Sequence, residues 1–260
     1  MGEESLDRFA RLVRRAEADL PLDEAALLVA TCVRPVDVDE GLARLDDLAA
    51  GCPARDAEGV ARHLFVDVGF AGDTADYDDP RNSFLDEVIT RRRGLPIALS
   101  VLMIEVARRL GVGIVGIGMP GHFMVRDASR SDLFLDPFYA GVRLDLAGVE
   151  ARFHAVRGDE AFRLEYVAPV GSRAILSRML ANLQRSFLSR QPNTVVSVAR
   201  MRYAIPGLSL PERHQIAMLL GSLGHYDEAA SMLGELVADL TDTDAERVRR
   251  QITALRARGN

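Results

Sequence analysis

Residues 82–112 read NSFLDEVITRRRGLPIALSVLMIEVARRLGV, and the second half of this stretch decides the fold. From Pro96 onward apolar side chains fill nearly every position until Glu105. A helix with that pattern is buried all round rather than along one stripe. Proline is favoured at a first helical position because its missing N–H would have no partner there. The pattern therefore predicts a central buried helix over 96–110. Ahead of it, Arg91-Arg92-Arg93-Gly94 ends a short helix over 82–90, for which Ser83 is the expected N-cap. Asp86 then falls in the first turn, where the helix dipole favours negative charge.

Upstream, apolar residues recur at three- and four-residue intervals over 6–17, 22–32, 38–50 and 56–68, with breaks at Pro21, Pro35 and Gly51-Cys52-Pro53. This predicts an N-terminal helical region spanning 1–70, followed by an exposed Gly- and Asp-rich loop over 69–80. Downstream, three extended segments are expected over 112–119, 121–127 and 132–138, separated by Pro120-Gly121 and Ala128-Ser129-Arg130. A helix over 145–157 follows, then a boundary at Val167–Gly171. Beyond it the chain reads as helical, with turns at 191–193, 206–207 and 223–225. The fold class expected is α+β: a central helix packed on a small antiparallel sheet within residues 1–170, and a helical domain over 171–260.

The last two strands bring a histidine and an aspartate together. A hairpin centred on Ser129 pairs Arg126 with Asp132, Met124 with Phe134 and His122 with Asp136; a one-residue slip sets Asp127 against Asp132 and His122 against Pro137. Opposite charges favour the first register. Directly opposed Cβ atoms lie about 4.5–5.5 Å apart, close enough for a carboxylate to orient an imidazole. Phe123, Val125, Leu133 and Leu135 then form the opposite, core-facing surface. Two roles are open for His122 and Asp136: the orienting half of a catalytic triad, or a hydrogen-bonded histidine at a strand start beside a turn aspartate held extended by Pro137.

Composition narrows the function classes. The chain has 260 residues, 48% of them hydrophobic, enough for one large domain or two smaller ones. A net charge of -6 argues against nucleic acid, whose phosphates need a concentrated basic field. All 32 basic residues are arginine, so no lysine is present as an acyl acceptor for self-crosslinking. Two cysteines, Cys32 and Cys52, are too few for a disulfide framework, and a reducing cytoplasm is expected. Residues 1–20 alternate acidic and basic groups without the apolar core of a signal peptide, and no stretch approaches the roughly 20 apolar residues of a membrane span. The five histidines are scattered, so no metal site is expected. GVGIVGIG, 111–118, follows a helix and reads as a strand, the reverse of a dinucleotide fingerprint, so no cofactor is expected either.

NSFLDEVITRRRGLPIALSVLMIEVARRLGV, GIGMPGHFMVRD (116–127) and LFLDPFYAG (133–141) resemble, in this order, the signature blocks of the SirB-type family. That family joins a transglutaminase-like, papain-type core to tetratricopeptide-like helices. The resemblance implies that His122 and Asp136 stand at the family's His and Asp positions. It also implies that Pro96 stands where catalytic transglutaminases carry the cysteine nucleophile. Proline supplies neither thiol nor proton. Ser100, one turn further on, sits about 6 Å along the helix axis, beyond the reach a nucleophile and base require. Cys52 lies in a turn between helices, outside the central one. Gly224, Tyr226, Ala229, Leu233 and Leu236 fall at offsets resembling the second half of a tetratricopeptide repeat, with Ala217 as the small packing residue of its first helix.

The expected function is a non-catalytic binding or regulatory module. Its cleft is expected around Asn82, Pro96, Gly121, His122, Asp136 and Tyr139, with a peptide, a protein or a small molecule as the ligand. The alternative is a hydrolase or amidase-type enzyme in which the His122–Asp136 pair activates water or a displaced nucleophile.

Overall fold

The computed structural model describes residues 3–188 and 190–259. The N-terminal region forms α1 (Glu3–Val13), α2 (Leu22–Leu28), α3 (Val38–Ala50) and α4 (Ala57–Arg62), the last continuing as a π-turn over His63–Asp67. Asp37 and Asp56 cap α3 and α4, their carboxylates accepting from the amides of Glu40 and Gly59. Residues 69–80, expected to be an exposed loop, are only partly so. Ala71–Gly72 forms β1, which pairs in parallel with β2 (Arg93–Gly94), while Phe70, Asp73 and Asp79 are buried.

Pro80–Ser83 makes a 3-10 turn ahead of α5 (Leu85–Arg91). Here the N-cap expectation fails. Phe84 occupies the cap position without a side-chain bond, and Ser83 Oγ is buried with no hydrogen-bond partner. The carboxylate of Asp79 instead accepts from the Arg81 amide, and the turn begins two residues before the expected helix start.

Helix α6 (Pro96–Arg109) opens with proline at its first turn, as the pattern predicts. Residues Ile97–Met103 are all buried, as are Glu105, Val106 and Ala107. The helix packs against α2, α3, α4 and α5, and against β3 (Ile114–Ile117) and β4 (Met124–Asp127). Each fully buried Leu, Ile, Val or Met contributes about 1.5–3 kcal/mol of transfer free energy. That is why so apolar a segment ends at the centre of the molecule.

The sheet is five-stranded and antiparallel in the order β6-β5-β4-β3-β7, with β5 Phe134–Asp136, β6 Val142–Leu144 and β7 Pro169–Val170. Its faces divide as expected. Phe123, Val125, Leu133 and Leu135 join the main core with α6, while Ile117, Met119, Met124 and Phe134 pack on Val149 and Phe153 of α7 (Leu146–Arg157).

The register differs from the expectation by two residues. Val125 pairs with Leu135 and Arg126 with Phe134, so Asp132 does not face Arg126. The reason lies in the turn. Asp127 Oδ1 accepts from the Ser129 amide, the Ser129 hydroxyl and the Arg130 amide, and the Asp127 amide donates to Leu133 O. Three local hydrogen bonds hold a wider turn than the single exposed Arg126–Asp132 ion pair could enforce. A slip of two keeps every side chain on its face, because the strand period is two.

Beyond β7 come α8 (Ser172–Leu188), α9 (Pro192–Tyr203), α10 (Leu210–Ser222), α11 (Tyr226–Leu236) and α12 (Asp242–Gly259). Ile175, Met179, Leu183, Val198 and Met201 of α8 and α9 belong to the same apolar core as α6. A second core runs from Ala199 through Ala217, Leu220, Ala229 and Leu233 to Val248 and Leu255. Among the described residues no helix is long and apolar enough to cross a membrane.

Candidate functional site

The site starts from a turn. Pro120-Gly121 occupies the centre of Met119–His122, the His122 amide donates to Met119 O (3.2 Å), and Gly121 has φ +80°. Proline followed by a residue of positive φ is the arrangement of a type II turn. This turn, rather than the strand itself, presents His122, since β4 begins at Met124. A Cβ on Gly121 would lie 2.5 Å from Val156 Cγ1, so glycine is required by packing as well as by φ.

His122 Nε2 lies 3.0 Å from Asp136 Oδ2, in a pair that is 5% and 0% exposed. In the observed register Met124 stands opposite the position of Asp136, so His122 reaches it diagonally rather than directly. Diagonal neighbours sit about 7–8 Å apart at the backbone, still within reach of an imidazole. A carboxylate can only accept here, so in the neutral ring Nε2 carries the proton and Nδ1 is the acceptor.

Asp136 is held from three sides. Its Oδ1 accepts from the Phe138 amide (3.2 Å), and its Oδ2 lies 3.2 Å from Arg152 Nε, an ion pair without the alignment of a hydrogen bond. The Arg152 guanidinium sits 3.8 Å from the Tyr139 ring centre, a close cation–π contact. Arg178 of α8 donates through Nη2 to both Met119 O and His122 O, each at 2.8 Å, and so clamps the two ends of the turn. Neither Arg152 nor Arg178 was signalled by the sequence. Each acts through distant backbone or a partner on another element, and no short-range spacing marks that.

A cleft of about 1260 Å³ opens beside this pair, between the core and α8–α10. Pro96, Gly121, His122 and Tyr139 line it. Asp136 stands behind His122, out of the lining. Asn82 also lies outside it: fully buried, it donates through Nδ2 to Asp76 O (2.7 Å) and accepts at Oδ1 from Arg91 (3.0 Å). Its work is to tie residues 73–82 to the entry of α6, with Asn82 O accepting from the Leu95 amide.

No sulfur nucleophile is within the cleft. Cys32 and Cys52 are both buried elsewhere, and burial pushes the Cys32 thiol up to about 12. Ser100 is fully buried, its Oγ unpartnered, and it does not reach the cleft wall. Among the described residues no group of three or more His, Cys, Asp and Glu side chains could hold a metal ion.

Pro96 at the head of a buried helix and the His122 turn line one cleft, with Asp136 behind the histidine. Residues 3–181 match the Transglutaminase-like superfamily, and the chain belongs to that family. It is 43% identical over 129 residues to a UPF0162 protein of Xylella fastidiosa strain Temecula1, covering 48% of this chain and 46% of that one. A UPF0162 protein of Vibrio cholerae is 28% identical over 141 residues, covering 53% and 52% of the two chains. Human F-box only protein 21 is 30% identical over 129 residues, which is 46% of this chain and 20% of that protein. The match thus spans about half the length of the UPF0162 relatives. No solved structure matches the chain.

Proposed function

We propose that this transglutaminase-like protein is a non-catalytic binding module whose ligand occupies the cleft beside His122. The observation that carries the reading is Pro96. It heads α6 and lines the cleft with His122, at the position where the resemblance to catalytic transglutaminases puts the cysteine. The lining hydroxyls of Tyr77, Tyr139 and Ser186 make no hydrogen bond to His122. His122, Gly121 and Tyr139 are the binding residues of this reading, and Asp136 fixes the histidine ring. The finer placement, a SirB-type protein with a transglutaminase-like domain over 1–170 and a tetratricopeptide-like helical domain over 171–260, belongs to the same proposal. The α10–α11 hairpin supports it, with Gly224 at φ +91° between the helices and Ala217 and Ala229 in one core.

A second reading has one observation in its favour: the His122–Asp136 pair is intact, and such a pair can activate water without a cysteine. Fluorophosphonate and iodoacetamide probes, applied to wild type and to His122→Ala, separate the two. Binding alone predicts no labelling that depends on His122. Labelling or substrate turnover abolished by His122→Ala would establish the hydrolase reading instead.

A further inference from the structure

Helix α8 presents two faces of different chemistry. Ile175, Leu176, Met179, Leu180, Leu183 and Phe187 are buried in the core. Arg178, Ala181, Asn182 and Arg185 recur at i, i+3, i+4 and i+7, which places them on one face, and all four line the cleft.

The cations on this face lack carboxylate partners. Among the described residues no carboxylate lies within ion-pair distance of Arg178 or Arg185; Arg185 bonds only to Asn182 Oδ1, and Arg178 to two backbone carbonyls. The other two arginines of the lining are already matched, Arg190 with Asp76 (3.1 Å) and Arg202 with Glu212 (2.9 Å). The lining contains one acidic residue, Asp78, against four arginines, in a protein whose net charge is -6. Gln184, 8% exposed and also in the lining, has an Nε2 donor with no partner while its Oε1 accepts from Arg202. Burial pulls the Arg178 guanidinium below its ordinary range, and the nearby Arg185 charge adds to this. Two cations without a carboxylate partner, on the wall of a cleft with one acidic residue, form a site short of negative charge.

We propose that the cleft binds an acidic segment of polypeptide, with Arg178 and Arg185 pairing with its carboxylates. This rests on the binding reading above and names its ligand class. A peptide fits better than a small metabolite for two reasons. The volume of about 1260 Å³ exceeds the roughly 300–1,000 Å³ of small-molecule pockets. Elsewhere the wall is mixed, and Tyr77, Tyr139 and Leu188 stand half-exposed on it, which suits side chains flanking the acids.

The test uses three fluorescein-labelled ten-residue peptides with the same Leu, Tyr and Phe positions. Their other positions carry Glu and Asp, Gln and Asn, or Lys and Arg. Anisotropy titrations against the full chain are expected to show the acidic peptide binding at least about tenfold tighter than the amide peptide. Arg185→Glu should abolish that preference. It leaves only an exposed bond to Asn182 unmade, and far-UV circular dichroism checks that the fold is kept; Arg178→Gln is the harsher variant because it also releases the His122 turn. Equal binding of all three peptides, a preference for the basic one, or no binding at all would overturn the proposal, as would an acidic preference that survives Arg185→Glu. Mass spectrometry of the recovered peptide separates this inference from the one beneath it. A cleaved or deamidated peptide ends the non-catalytic reading, whereas an unmodified peptide bound without charge preference ends only the acidic assignment.

Discussion

Arg152 and His122 share one oxygen of Asp136: Nε of the first lies 3.2 Å from Oδ2 and Nε2 of the second 3.0 Å from it. A fully buried carboxylate with an arginine and an imidazole on the same atom is a fixed point from which the cleft wall is hung. Removing it leaves Arg152 without its counter-ion and His122 without its orienting partner. Asp136→Ala is expected to cost roughly 2–4 kcal/mol in urea unfolding. Asp136→Asn, which can still accept from the Phe138 amide, should cost less.

Pro96→Cys would place a thiol at the start of α6. Helix N-termini and a neighbouring imidazole both favour the thiolate. The new thiol should react with iodoacetamide at neutral pH while the buried Cys32 and Cys52 stay unlabelled. His122→Ala in the same background should slow it. A labelling profile with its inflection at the ordinary thiol value of about 8.5 would count against Pro96 facing the histidine.

Glu105 gives a pH signature away from the cleft. Burial, followed by the negative charge of Asp23, raises its carboxyl from 4.5 to about 7, against Arg108 at 2.8 Å and Arg109 at 3.3 Å. The folded state therefore holds a proton that the unfolded chain has released. The contribution is fully present below about 4.5 and is lost as pH rises through about 7. Asp23 works in the other sense: burial opposes it, yet the Glu24 amide and Arg109 hold its carboxyl below the ordinary 3.8, so its contribution fades only at lower pH. Glu105→Gln should gain on wild type between pH 5 and pH 8, by up to about 3 kcal/mol, in paired denaturant titrations. A difference that is flat across that window would refute the assignment.

Gly121→Ala tests the turn. Positive φ and the approach to Val156 both oppose a Cβ, and a loss of about 1–2 kcal/mol is expected. Adding Val156→Ala should recover the part due to contact and leave the part due to φ, as a double-mutant cycle in thermal unfolding would read out.

The hairpin register separates two aspartates. Asp132→Ala should change stability by less than about 0.5 kcal/mol, since its side chain makes no ion pair with Arg126. Asp127→Ala removes three accepted hydrogen bonds and should cost about 1 kcal/mol or more. The direct Arg126–Asp132 register would give the reverse order.

The sequence by itself determined the buried α6, the helical start, the three strands and their faces. These follow from hydrophobic periodicity and from Pro and Gly breaks, which act over a few residues. Met124 and Phe134 kept their shared sheet face despite a register wrong by two, because parity alone sets the face, whereas His122 reaches Asp136 from the turn before β4. What only the tertiary structure decided depends on partners far apart in the chain. Asn82 turned from the cleft to brace α6 through Arg91 and Asp76. Ser83 gave way to Asp79 as the capping group of its turn. Arg152 joined Asp136 from α7, and Arg178 and Arg185 came from α8 to line the cleft without counter-ions. Charge pairing of this kind is set by which elements pack together, and no local pattern in a chain of 32 arginines says which of them will be left unpaired.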